Sequence, residues 1–549
     1  MIYKKDPTQA MLFSRYRDLL SDAALRQLSD GWQGVFRRTI LALLPVECVE
    51  ENFSEITGRP TKELYSICGL LLIMEYFKWS METACLNYMV DLGTQFALNI
   101  ERDREKLSKR TLYRYIKLLR EENFAQKAMT LVTSKLIEEL QINITEQRLD
   151  STHVCSNMSA WSRKQLLHKV TQRFLRQVKR HAEAVYQSLD AELVKRYERN
   201  DGWIFGETSP MKLNRGGKVY TTEEQIGYDM EKLMARFSGD TAFTNMSSYK
   251  DLVQVFEEQF VIHDGKAELN AHPGGKVLLN PSDREAEIGA KGSGYQVQIA
   301  ETCSENNDVQ IITAAIPQGG SVSDMTSLPE VVDKLETENH IPKKLFADAG
   351  YGSDDNYVQM EEKEIELVAP APHQPKNKVG MDECKFDEKK RIIECPAGNR
   401  PIFKDFKNGK GRAVFHLNVC ENCPLHERCR SQKTGKQNRV FKYEESDLRS
   451  LHRREQEKTA EFKAEYGKKR VPIEGLNGRL KQFSQLRRLR IRGKPAVFHS
   501  IFMILIMQNI MQTARCCKIR RKNGVGGIIF AFLRWMTTFK IKKDSLFAA

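Results

Sequence analysis

Three carboxylates stand where acids need a reason. Asp150 lies within "ITEQRLDSTHV", a stretch with the pattern of a β-strand. Asp348 lies where "KLFA" gives way to "GYGS", at the C-terminal end of another expected strand, where ligand sites of α/β sheets gather. Glu474 is the single acid between Tyr466 and Lys494, among ten Lys and Arg: Lys468, Lys469, Arg470, Arg479, Lys481, Arg487, Arg488, Arg490, Arg492 and Lys494. A surface that grips phosphates has no electrostatic use for one anion in its middle. A hard oxygen ligand does have a use there. Two or three carboxylates hold Mg²⁺ or Mn²⁺ against phosphate oxygens, and a metal pair activates one oxygen while stabilising the leaving one. The surrounding cations then hold the polyanionic substrate.

Each acid also has an ordinary explanation. Asp348 suits a helix N-cap after the glycine turn, with Asp354 or Asp355 as its substitutes in a metal site. Asp150 suits a local turn bond. Pro472 favours the first turn of a helix, where the charge of Glu474 is worth ~0.3–1 kcal/mol. A second set of residues with ligand chemistry is Cys395, Cys420, Cys423 and Cys429, spaced C-x24-C-x2-C-x5-C. Four thiolates close a tetrahedral Zn²⁺ site, with Cys384, His416 and His426 as alternative ligands, and free loop thiols are the competing reading.

The elements that must position these residues follow from periodicity. Residues 1–140 read as a helical domain; "LSKRTLYRYIKLLREENF" has Ser108 as its cap and Leu112, Tyr115, Ile116 and Leu119 along one face. Its basic outer face suits either a recognition helix or plain solvation. After the Asp150 strand comes a long helical pattern, and residues 200–285, rich in Gly, Asn and Asp, read as loops. "GYQVQIAET" and "DVQIITAAIP" read as paired strands, "DMTSLPEVVDKLETE" as a helix, "KKLFADAGYGSDDNYVQM" as strand, turn and helix, and "IELVAPAP" as a strand. Helices resume from about 451 to 514. The order implies a mixed α/β core, 141–371 with 451–514, interrupted by a helical and looped insertion at about 160–285 and a Cys-rich one at 372–450. A basic tail, 515–549, completes the chain.

The net charge is +14, and charged residues make up 29% against about 25% in ordinary domains, so the sign matters more than the amount. Basic residues concentrate in the last hundred positions, which points to nucleic acid or an anionic surface. "MIYKKDPTQAMLF" has no apolar core of signal-peptide length, so secretion is not expected. In "AVFHSIFMILIMQNIMQTA" the uninterrupted apolar run, Ile501–Met507, is too short to span a bilayer, so a buried core helix is expected and no membrane partner. Twelve Cys without secretion signals favour thiols or metal over disulfides.

On these segments the chain resembles the DDE transposases of bacterial insertion sequences, in the branch with an RNase H-like core and a Cys-rich insertion. "LDSTHVCSNM" resembles their first-Asp segment, "KLFADAGYGSDDNY" the second, and "YGKKRVPIEGLNGRLK" the third-carboxylate signature. Three residues separate Arg470 from Glu474 and six separate Glu474 from Lys481, as in the signature; three intervene between Tyr466 and Arg470 where the pattern has two. "ITGRPTKELYSICGLLL" resembles the helical domain that precedes such cores. The resemblance implies an α/β fold with an RNase H-like mixed sheet, preceded by an all-α domain and interrupted by a helical insertion and a zinc-ribbon-like one. It implies Asp150, Asp348 and Glu474 as catalytic Mg²⁺ or Mn²⁺ ligands, and Arg470, Lys481 and the neighbouring Arg479 as DNA contacts. The partners would be double-stranded DNA, both element terminal repeats and target, in a homo-oligomer assembled on DNA in the bacterial cytoplasm. The competing functions are a nuclease that hydrolyses without joining and a non-catalytic, zinc-containing DNA-binding protein.

Overall fold

The structure is a computed structural model that describes residues 1–7, 14–101, 106–198, 221–373 and 378–522, with side chains to 516. The expected basic tail therefore lies almost wholly outside the described residues. The N-terminal region is helical, as its sequence requires. Its principal helices are α1 (Leu64–Tyr76), α2 (Lys109–Glu121) and α3 (Phe124–Glu139). Ser108 caps α2 by accepting from the Thr111 N–H, and the four apolar residues at helical spacing are the buried ones.

The central sheet is built from β1 (Glu146–Val154), β2 (Gly292–Thr302), β3 (Ile312–Gly319), β4 (Lys344–Phe346) and β5 (Glu366–Val368), in the order β3-β2-β1-β4-β5. β2 runs antiparallel to both β3 and β1; β1, β4 and β5 run parallel. A short strand, Glu287–Gly289, pairs with the start of β2. There Gly294 has φ +134°, and a Cβ on it would stand 2.6 Å from the Val154 carbonyl oxygen, so only glycine lets the strands approach so closely. The fold is thus mixed α/β, as expected.

Between β1 and β2 the chain forms α4 (Arg163–His181), α5 (Glu223–Phe237) and α6 (Ser247–Gln259), packed on a hydrophobic core of their own around Phe174, Met230, Phe237 and Leu252. Much of 200–285, read from composition as loop, is therefore helical: Ile226, Met230, Leu233 and Phe237 keep a buried stripe that the glycines and polar residues around it obscure. Residues 199–220 lie outside the described residues.

After β3 come α7 (Asp324–Thr337), β4, α8 (Asp354–Glu362) and β5. The segment that carries the spaced cysteines forms a four-stranded antiparallel sheet of β6 (Phe403–Lys407), β7 (Lys410–His416), β8 (Gln432–Thr434) and β9 (Asn438–Glu444), beside a hairpin of Lys385–Phe386 with Ile392–Glu394. The chain returns through α9 (Glu445–Glu457), α10 (Ala460–Lys469) and α11 (Pro472–Phe483) to the long α12 (Lys494–Lys522). By length and composition α12 could cross a membrane, but 83% of its apolar window is buried inside the fold. Its Val497–Ala514 core residues join one cluster with α1, α3 and the inner face of β2.

Candidate active site

Register brings the first two acids together. Parallel pairing sets Arg148 opposite Phe346, so two residues further on Asp150 comes level with Asp348. Residues 147–152 of β1 are all buried, though five of the six are polar, and each long polar side chain finds a partner. Arg148 donates to Glu301 and to the Lys469 carbonyl, 3.2 Å away, while the Lys469 ammonium reaches Glu146 at 2.8 Å. These bonds pin the last turn of α10 to β1 and so aim the next residue, Arg470.

The Arg470 guanidinium stands 3.2 Å from Asp150 Oδ1 and 3.6 Å from Asp348 Oδ2, joining the two carboxylates through one nitrogen. Arg470 is only 5% exposed. Its partners in this fold are the two acids, because the α10–α11 junction turns it inward. Asp150 also accepts from the Ser151 N–H at 2.9 Å and from Asn477 Nδ2 at 2.8 Å. Burial pushes the Asp150 carboxyl pKa above its ordinary value; Arg470 and Lys291 oppose that rise and Asp348 adds to it. Asp348 is more open, and its Oδ1 accepts from the Gly350 N–H at 2.8 Å. Ser353, not Asp348, caps α8. Asp354 is engaged by Arg449 and by Arg453, the latter at 3.1 Å, so it is a tie between α8 and α9 and not a substitute for Asp348.

Glu474 occupies the first turn of α11, as Pro472 implies, one turn before the Asn477 that holds Asp150. Its side chain is exposed and makes no hydrogen bond or ion pair among the described residues. It does not close a cluster with the two aspartates: among the described residues no group of three or more His, Cys, Asp or Glu is placed to hold a metal ion. What the site does offer is hard oxygens: two carboxylates bridged by Arg470, and the Asn477 amide, whose buried Oδ1 has no partner among the described residues. Their chemistry fits a divalent cation of the Mg²⁺ class. Arg479 and Lys481 lie half-buried on α11; the Lys481 charge is felt at His153, on β1 beyond Asp150.

Tyr466 sits beside this site despite its altered spacing. Its hydroxyl donates to the Ala347 carbonyl at 3.1 Å, its ring stacks on Phe462, and burial pushes its pKa up to about 12. Sequence reasoning missed three further residues. Asn477 is one; Lys291 and Asp324 are the others. The Lys291 ammonium bonds the Ser151 hydroxyl and carbonyl and pairs with Asp324 at 3.2 Å, and Gln298, bonded to Tyr351, donates to Asp324 at 3.0 Å. No motif spacing marks any of the three.

The expected zinc cluster is not formed as such. Cys395, Cys420 and Cys429 pack with the buried Cys384 against Phe415, Phe441 and Tyr443, and all are free thiols, but their geometry does not group three of them for a metal. Cys384, weighed only as an alternative ligand, is the most enclosed: burial first, then Cys395 and Cys429, push its thiol pKa up to about 12. Among the described residues these thiols form no group placed for a metal ion, although the Cys420 thiol feels Cys429, Cys395 and Cys423 as neighbours.

No curated protein and no solved structure matches the chain. Residues 394–514 match the family described as "Transposase DDE domain". The matched stretch contains Glu474, Arg470, Arg479, Lys481 and the four spaced cysteines, and it begins C-terminal to Asp150 and Asp348. On that match, residues 394–514 are similar to a transposase DDE domain, which supports reading the chain as a DDE transposase.

Proposed function

We propose that this protein cleaves DNA at the ends of a bacterial insertion sequence and joins those ends to target DNA, using Asp150, Asp348 and Glu474 with a divalent cation. The observation that carries the reading is the Asp150–Arg470–Asp348 cluster at neighbouring parallel strands, with Glu474 one helical turn from the Asn477 that bonds Asp150. The sheet, three antiparallel strands continued by two parallel ones and flanked by helices, supports an RNase H-like core. When bound, Mg²⁺ or Mn²⁺ supplies charge that activates an attacking oxygen and stabilises the leaving one. The chain's own residues do the rest. Asn477 and the Ser151 N–H fix the Asp150 carboxylate, Tyr466 buttresses the strand end that carries Asp348, and Arg470 and Lys291 offset the charge gathered there. Glu474, exposed on α11, would supply the third carboxylate to that cation.

Attack by water and attack by a 3′-hydroxyl differ only in the entering oxygen, so the products decide between hydrolysis and transfer. Purified protein, labelled DNA carrying the element's terminal repeats, and Mg²⁺ are expected to give joined products. Cleaved ends that never join would make the protein a nuclease, and uncut DNA would end the proposal.

A further inference from the structure

The Asp150 carboxylate is held from a direction that the three-acid pattern does not include. Asn477 is 9% exposed, on the buried face of α11 with Ile473, Leu476 and Leu480. Its Nδ2 donates to Asp150 Oδ2 at 2.8 Å. With the amide nitrogen so committed, the oxygen's direction is fixed, and Oδ1 is buried with no partner among the described residues. An unpaired buried acceptor is costly, about 1–3 kcal/mol. A donor needed only to steady Asp150 would not require a second, unsatisfied polar atom beside it. A group that satisfies an amide oxygen on a residue bonded to the Asp150 carboxylate is a hard cation, which takes amide and carboxylate oxygens together. Helical spacing adds a second link: Asn477 follows Glu474 by three residues, so the two lie on neighbouring positions of one face of α11.

We propose that Asn477 is a positioning residue for Asp150 and that its amide oxygen is a further donor toward the divalent cation. This rests on the metal-dependent reading above. Residues that orient metal ligands change metal affinity by roughly 10–100-fold when lost. Asn477 does so through Asp150, and its own oxygen adds to the donor count, so its removal acts on cation binding before it acts on DNA.

The test is Mn²⁺ binding to the full-length protein without DNA, followed by electron paramagnetic resonance, with thermal melting alongside. Wild-type protein is expected to bind Mn²⁺, and Asp150→Asn to lose that binding. Asn477→Ala is expected to weaken Mn²⁺ affinity by about tenfold or more. Asn477→Asp keeps the shape and the oxygen but sets a carboxylate against Asp150. It is therefore expected to melt lower than wild type in chelator and to regain more melting temperature than wild type does on adding Mn²⁺. Because a carboxylate placed beside Asp150 gains from any cation bound there, that recovery reports a cation at Asp150, and the role of Asn477 itself is read from the affinity of Asn477→Ala. A merely structural asparagine would leave the Mn²⁺ affinity of folded Asn477→Ala unchanged. If wild type binds Mn²⁺ through Asp150 while Asn477→Ala binds equally well, the role of Asn477 is overturned and the metal-dependent reading stands. If Mn²⁺ binding does not depend on Asp150, both fall together. Should Asn477→Ala not fold, the Mn²⁺ affinity of Asn477→Ser decides by the same criterion of about tenfold.

Discussion

Arg470 is enclosed between two acids, and the consequence of removing it follows from that enclosure. Arg470→Ala leaves Asp150, itself 8% exposed, without its main opposing charge. Breaking one side of a buried ion pair costs roughly 3–5 kcal/mol, so the melting temperature should fall markedly even without DNA. An unchanged melting temperature would make the pairing incidental and return Arg470 to a purely DNA-contacting role. The acids behave differently. Asp150→Asn, Asp348→Asn and Glu474→Gln are each expected to abolish strand cleavage while DNA affinity, set by phosphate contacts, stays within a few-fold of wild type by filter binding. Equal loss of binding and cleavage in Glu474→Gln would make that glutamate a helix-terminus charge and nothing more. At this scale the sequence was partly legible. A lone acid in a basic run and an acid at a strand end are conspicuous, and register brought Asp150 and Asp348 level. Asn477, Lys291 and Asp324 were not legible, because an amide, a lysine and an aspartate near helix and strand ends are ordinary residues until the fold brings them beside Asp150.

Elements were readable where amphipathic spacing was clean and obscure where it was diluted. Ser108 and four spaced apolar residues specified α2. The helices α5 and α6 went unseen because polar and glycine residues interrupt a stripe that only burial makes continuous. The apolar α12 could be read as buried, yet its most telling residue is polar. His499 is half-buried on α12, and desolvation first, then the Arg120 charge, pushes its pKa down to about 3. The folded state therefore holds His499 neutral, whereas the unfolded chain takes up a proton below about pH 6.5. This stabilisation is complete above pH 6.5 and is lost as pH falls toward 3, at up to about 1.4 kcal/mol per pH unit. Melting temperature should thus drop between pH 6.5 and pH 4 by more in wild type than in His499→Leu. Parallel declines in the two proteins would place the imidazole outside this balance.

Across the whole molecule, α12 and the segment before it join the N-terminal helices to the sheet. Glu75 of α1 accepts from Gln485 and from Ser500, and the Tyr76 hydroxyl donates to Gln508 at 3.0 Å. Between α11 and α12, the run Arg487–Arg492 is fastened to the end of β1: the Leu489 N–H donates to the Cys155 carbonyl at 2.8 Å, and the Asn157 N–H to the Ile491 carbonyl at 2.8 Å. That backbone pairing buries Leu489 and leaves Arg487, Arg490 and Arg492 exposed, none of them in a salt bridge among the described residues. Cations turned outward along a strand end a few residues beyond Asp150 suit a phosphate backbone led toward the site. General solubility would not need them fixed there. The salt dependence of binding separates the two. Every phosphate that the protein no longer neutralises should reduce the slope of log affinity against log salt, in magnitude, by about 0.9. The triple variant Arg487→Ala, Arg490→Ala, Arg492→Ala is therefore expected to show a visibly shallower slope, with the melting temperature held, since none of the three arginines supports the core. A slope equal to that of wild type would move the DNA path away from the end of β1, and the exposed face of α2, with Arg110, Arg114 and Lys117, would become the surface to vary next.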